Sequence, residues 1–184
     1  MRIVRTALPE VLILEPTVYK DERGFVLEVF HERKFRDAGL PTHFVQDNRS
    51  RTVAGVVRAL HYQLNTPQGK LVTVIAGEIF DVAVDIRVGS PTFGQWAGET
   101  LRGETPRSLW IPAGFAHGFA VLSAHADVVY KCTTLYDPDD QRGVRWDDPA
   151  IGIPWPIAHP LLSAADATRP PLRDVMDSLP RYTP

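Results

Sequence analysis

His61 and Lys70 are the two side chains whose type and spacing say most about chemistry. His61 follows Gly55 after five residues and stands two before Gln63, while Lys70 precedes Gly77 with six residues between. A metal-binding barrel with this spacing needs a second histidine at 63 and a carboxylate at 70. This chain has an amide and an ammonium there instead. An ammonium offers a metal no lone pair, but it stabilises an oxyanion. The swap points to carbonyl chemistry in a β-barrel without a metal. A second short pattern, Pro112-Ala-Gly114-Phe-Ala-His117, supplies another imidazole further along.

Such groups need a rigid frame, and the sequence predicts one made of strands. Ile79, Asp81, Ala83 and Asp85 alternate with Phe80, Val82, Val84 and Ile86, a period of two that puts the sets on opposite faces. Leu71–Ile75 precedes that run across Ala76-Gly77-Glu78, which predicts a tight hairpin. Further strands are predicted at 25–30, 53–60, 108–111, 118–122 and 128–136. Helix is scarce: residues 31–38 suit two turns stopped by Gly39, and a second short helix starts near Ser163, whose hydroxyl caps a turn containing Asp166. Residues 170–184, rich in proline, are expected to wrap the surface. The fold class is therefore all-β, a jelly-roll barrel with a few short helices, in a single domain of 184 residues.

Bulk properties narrow the function classes. A net charge of −2 argues against a nucleic-acid binder, since no uniform basic field exists. No apolar run reaches the ~18 residues of a membrane span, and no secretory core follows Met1. The single cysteine, Cys132, excludes an intrachain disulfide and suits a reducing compartment. The cytoplasm is the expected location, with no membrane and no nucleic-acid partner.

The motifs in order carry a resemblance. Gly55-x5-His61-x-Gln63 with Lys70-x6-Gly77 resembles the first motif of the cupin superfamily with two ligand positions replaced, and Pro112–His117 resembles its second. A more specific likeness joins Asp21-Glu-Arg23-Gly24-Phe25, Phe44-Val-Gln46-Asp47-Asn48, Val57-Arg58-Ala59-Leu60-His61-Tyr62-Gln63 and Gln68-Gly69-Lys70-Leu71. With Trp110–Phe119, Tyr130-Lys131 and Leu162-Ser163-Ala-Ala-Asp166, these segments resemble the dTDP-4-dehydrorhamnose 3,5-epimerase family over roughly residues 1–170.

That resemblance implies a cupin-type double-stranded β-helix acting on a nucleotide-linked 4-keto-6-deoxy sugar. Carbons 3 and 5 flank the ketone, so their hydrogens are acidified through an enolate, and inversion takes a proton from one face and returns one to the other. The implied catalytic set is His61 as base, Asp166 orienting it, Lys70 at the carbon-4 oxygen and Tyr130 as acid on the opposite face. The implied substrate-binding set is Arg23 and Arg58 at phosphate or sugar oxygens, Gln46 and Asn48 as amide contacts, Phe25 and Tyr136 at the thymine ring, Glu28 at a base-edge N–H, and His117 at the sugar. No cofactor and no metal are implied. The expected assembly is a homodimer whose N-terminal strands pass to the partner, so that Arg23, Phe25 and Glu28 complete the neighbouring site. The implied pathway is dTDP-L-rhamnose supply for cell-surface polysaccharide such as O-antigen.

Two expectations follow from strand parity. Tyr130 and Tyr136, on one face of a 128–136 strand, would be roughly 20 Å apart. Arg58 and His61 fall on opposite faces unless a bulge intervenes. The family usually has glycine where this chain has Ala59, which leaves inversion at one carbon only as the alternative activity. A non-catalytic nucleotide-sugar-binding barrel is the alternative class.

Overall fold

The structure, a computed structural model, describes residues 1–183. Thirteen strands are present: β1 Arg2–Arg5, β2 Leu12–Glu15, β3 Val18–Asp21, β4 Gly24–Leu27, β5 Gln46–Val53, β6 Val57–Gln63, β7 Lys70–Ala76, β8 Glu78–Asp85, β9 Trp96–Arg102, β10 Ser108–Ile111, β11 Phe115–Val121, β12 His125–Cys132 and β13 Gln141–Gly143. Among the described residues helix is confined to α1 (Glu32–Asp37), α2 (Ala164–Ala167) and two 3-10 turns near the C-terminus. The expected all-β fold of the cupin type is what the chain adopts.

One sheet runs β1-β2-β10-β7-β12-β5 and the other β13-β6-β11-β8-β9. The named strand pairs are antiparallel. Inward residues of both sheets, among them Val72, Val74, Ile79, Ala83, Leu109, Phe119 and Val128, form one buried cluster. Each fully buried Leu, Ile or Val contributes about 1.5–3 kcal/mol, so this layer fixes how the sheets face each other. A second cluster covers the outer face of the five-stranded sheet, where Val82, Val84 and Ile86 meet Val144, Ile151, Leu172 and Leu179. The C-terminal segment thus wraps the barrel as expected, held by the Val88 N–H to Pro180 and Tyr182 N–H to Val88 bonds. Pro184, the last residue of that expected segment, lies outside the described residues. A third cluster, under α1, packs Phe35 and Leu40 on Leu14, Leu71 and Trp110. Gly39 ends α1 with φ +72°, as the sequence predicts.

Two connections differ from the sequence reading for one reason. Residues 71–85 are not a hairpin: β7 and β8 lie in different sheets, and the Gly77 turn carries the chain between them. Gly77 has φ +79°, and a β-carbon there would stand 2.0 Å from the His125 carbonyl. The 53–60 run is likewise broken, because β5 and β6 also lie in different sheets, joined through Gly55 at φ +77°. Alternation marks strands well but is silent on which sheet the next strand joins. Among the described residues no helix is long and apolar enough to cross a membrane.

Candidate active site

The barrel interior is apolar toward one end and polar toward the other. Six strands supply the polar end: Gln46, Asn48 and Ser50 from β5, Arg58, His61 and Gln63 from β6, Lys70 from β7, Asp81 from β8, His117 from β11, and Tyr130 from β12. A cleft with three lobes of about 280, 260 and 550 Å³ opens there. His61 and Gln141 line all three lobes.

Strand β6 solves the parity problem with a bulge. His61 pairs with His117 and Arg58 with Phe119, so three steps on β6 oppose two on β11. Ala59 and Leu60 both turn outward into the second apolar cluster, and Arg58 and His61 both line the cleft. The Ala59 methyl therefore points away from the cleft. It sits over Gly118, where a β-carbon would come within 2.4 Å of it.

His61 receives its partner from the C-terminal segment. Ser163 caps α2 by accepting the Asp166 N–H at 3.1 Å, and the Asp166 carboxylate lies 2.6 Å from His61 Nε2. Burial alone would raise the Asp166 carboxyl, but the bond to and charge of His61, with the Ser163 hydroxyl and the Arg169 charge, together outweigh it and hold the group below the usual range. With Nε2–H donated to Asp166, Nδ1 keeps the lone pair that a base needs.

Lys70 and Tyr130 face the same lobes as His61. Burial pushes the Lys70 ammonium below the usual lysine range, with Cys132 and Asp81 pulling the other way. A cation short of solvent gains most from negative charge that develops in front of it. Burial also raises the Tyr130 phenol, which keeps its proton on at neutral pH. His117 is buried, and its Nε2 lies 2.7 Å from Asp81 Oδ1. Burial lowers His117, so the imidazole stays neutral and presents Nδ1 as an acceptor.

Tyr136 stands where the parity argument did not place it. Strand β12 ends at Cys132, and the chain then bends so that Tyr136 and Tyr130 line the same lobes, which removes the expected 20 Å separation. The bend is pinned by Gln63, which accepts the Asp137 N–H at 2.9 Å and donates to the Leu135 and Thr66 carbonyls at 3.2 and 2.8 Å. Gln46 accepts the Tyr136 N–H at 2.8 Å and donates to Asn48 at 3.0 Å. The amide that replaces a metal-binding histidine is therefore a loop anchor. Cys132 is buried and accepts from Asn48 Nδ2 at 3.7 Å.

Three expected residues are not brought to the cleft. Arg23, Phe25 and Glu28 lie on or beside the β3–β4 hairpin, a two-stranded sheet of its own. Arg23 pairs with Asp21, Glu28 bonds Lys34 at 2.7 Å, and Phe25 is 63% exposed. Conversely, sequence reasoning missed Asp81 and Gln141. Asp81 is a charged residue that shares a buried face of β8 with Ile79, Ala83 and Asp85, a signal that was legible. Gln141 follows a loop and gives no pattern; its Oε1 accepts the Tyr136 hydroxyl.

The likeness to known proteins agrees with this geometry. A model of the dTDP-4-dehydrorhamnose 3,5-epimerase family matches residues 5–174. The dTDP-4-dehydrorhamnose 3,5-epimerase of Pseudomonas aeruginosa is 53% identical over 168 residues, covering 90% of this chain and 93% of its own. The crystal structure of dTDP-6-deoxy-D-glucose-3,5-epimerase from Legionella pneumophila, in complex with dTDP-4-keto-L-rhamnose, superposes with a TM-score of 0.96 at 50% identity. That match covers 100% of this chain and 99% of the other. A 3'-monoepimerase from Streptomyces bikiniensis in complex with dTDP-quinovose is similar at 33% identity and a TM-score of 0.91, covering 97% and 92%.

Proposed function

The chain belongs to the dTDP-4-dehydrorhamnose 3,5-epimerase family, and from that premise we infer how it works as an isomerase. It inverts carbons 3 and 5 of dTDP-4-dehydro-6-deoxy-D-glucose to give dTDP-4-dehydro-L-rhamnose. The observation that carries the residue roles is the His61–Asp166 pair facing Lys70 and Tyr130 across one cleft.

His61 Nδ1 takes the proton from a carbon beside the ketone, and the C–H electrons pass through the new C=C bond onto the carbon-4 oxygen. Asp166 stabilises the imidazolium that forms. Lys70 stabilises the enolate oxygen, and His117, held by Asp81, fixes the sugar from the neighbouring strand. Tyr130 returns a proton from the opposite face, so the electron pair re-forms a C–H bond with inverted configuration. Solvent then takes the proton from His61 and returns one to Tyr130, and repetition at the second carbon completes the reaction. No step is assigned to a metal, because an amide and an ammonium stand at positions 63 and 70, and the imidazoles of His61 and His117 are each bonded to a carboxylate.

We assign both carbons, because the one residue that argued for a single carbon, Ala59, directs its methyl into the outer core. Arg58, Gln46, Asn48 and Tyr136 receive the nucleotide within the chain. Arg23, Phe25 and Glu28 serve a second copy: the hairpin carries exposed Tyr19, Phe25 and Val26, an apolar arm that a homodimer would cover. The chain, one catalytic unit over 1–184, acts in the cytoplasm in dTDP-L-rhamnose supply for cell-surface polysaccharide. The test is turnover of dTDP-4-dehydro-6-deoxy-D-glucose in D2O. Deuterium at both carbons 3 and 5 is expected; label at one carbon only would assign a mono-epimerase.

A further inference from the structure

We propose that Arg169 is a binding residue for the diphosphate of the nucleotide sugar, in the 550 Å³ lobe beside His61. The proposal rests on the epimerase reading above and adds a cation that no motif singled out.

The lobe is lined by Arg58, His61, Gln141, Ser163, Asp166 and Arg169, with apolar side chains between them. Its one carboxylate, Asp166, is already committed to His61. Arg58 uses Nε on the Thr52 hydroxyl at 3.1 Å. Among the described residues neither Arg58 nor Arg169 has a carboxylate within 4.0 Å, whereas the two cleft histidines, His61 and His117, are paired with Asp166 and Asp81. Two guanidinium groups facing one lobe, with the His61-bonded Asp166 as its one carboxylate, leave positive charge to spare for a dianion, and their planar forks suit phosphate oxygens.

Arg169 is also held in place by its surroundings. A β-carbon at Gly143 would stand 2.7 Å from Arg169 Nε and 2.9 Å from its Cδ, so the guanidinium stem lies on bare β13 backbone. The Arg145 N–H donates to the Pro170 carbonyl at 2.9 Å, and Pro170-Pro171 stiffens the chain directly after the arginine. Its Nε–H is buried without a partner among the described residues. A side chain kept there at the cost of an unmet donor is placed for something other than folding.

The shape of the substrate makes the connection. In a six-membered sugar carbon 1 lies opposite carbon 4. Lys70 lines only the two smaller lobes and Arg169 only the largest, while His61 lines all three. A sugar with its ketone at Lys70 therefore spans His61 and sends its carbon-1 diphosphate toward Arg58 and Arg169.

The experiment titrates dTDP and thymidine into the wild type, Arg169→Gln and Arg169→Lys, and measures kcat and KM for the keto sugar. For Arg169→Gln, dTDP affinity should fall about tenfold or more and KM should rise in step. Thymidine affinity and kcat should stay within about threefold, with Arg169→Lys intermediate. Unchanged dTDP affinity in Arg169→Gln overturns the proposal while wild-type turnover leaves the epimerase reading standing. Equal loss of thymidine affinity, or a shifted kcat–pH profile with dTDP binding intact, assigns Arg169 a structural or dyad-tuning role and also overturns it. A wild type that neither binds dTDP nor turns over the keto sugar takes down both readings.

Discussion

Asp166 Oδ1 lies 2.6 Å from Nε2 of His61, although 105 residues separate the two in the chain. The contact joins the C-terminal wrap to the bulged strand of the barrel, so the segment that seals the outer core also completes the base.

Removing either member of this pair should cost turnover far more than binding. His61→Ala should abolish epimerisation while dTDP affinity stays close to wild type. Asp166→Asn keeps the shape but loses the charge that stabilises the imidazolium, and kcat should fall by about 10²–10⁴. Steady-state kinetics beside dTDP titration separates the two effects. Near-wild-type kcat in His61→Ala would remove the base assignment.

Tyr130→Phe offers a sharper dissection, because base and acid act on opposite faces. Without the phenol, His61 still takes a proton and the enolate still forms. Solvent deuterium should then enter the recovered substrate, while the rate of epimerised product drops at least about a hundredfold. Loss of exchange and product in equal measure would contradict the division of labour.

Much of this site was legible in the sequence, and the failures have physical causes. Tyr130 sits on a strand whose alternation is plain, whereas His61, Lys70 and His117 are marked by motif spacing, and parity alone sets His61 opposite Arg58 until the β6 bulge brings both inward. Asp166 was legible as a partner of His61 only through the family resemblance, since after Ser163 it reads equally as a helix-start acid. Tyr136 was misplaced because alternation ran on past Cys132, whereas the strand stops where Gln63 captures the 135–137 backbone. Gln141 opens the three-residue β13, too short to show alternation, and Arg169 lies between elements, so only tertiary packing brings them to the cleft.

Gln63 therefore gives a prediction that a vestigial metal position would not. Gln63→Ala leaves the Asp137 N–H and the Leu135 carbonyl without their partner, at about 1–3 kcal/mol. The loop that carries Tyr136 should loosen, raising KM for the keto sugar several-fold with little change in kcat. A kcat loss with unchanged KM would show that Gln63 acts on the chemistry instead.

Asp85 should set the acid limit of the fold. It accepts from Arg87 Nε at 2.9 Å and from the Thr92 hydroxyl at 2.7 Å, with Ser90 also bonded, and Arg87 reaches on to Glu10 at 2.7 Å. Burial alone would raise the Asp85 carboxyl, but the donors from Arg87, Ser90 and Thr92 outweigh it and bring it to about 2 from a usual value of 3.8. The folded value is the lower one, so the unfolded chain binds the proton first as pH drops. The stabilisation is thus fully present above about pH 4 and is lost as pH falls toward 2. The node ties the N-terminal Glu10 to the 90–92 loop, and Arg87 also stacks on Tyr182 of the C-terminal wrap at 5.0 Å. Asp85→Asn should lower the urea midpoint at pH 6, and its deficit against the wild type should shrink between pH 4 and pH 2.5. Midpoint curves that stay parallel over that interval would show that the carboxylate charge does not hold the node.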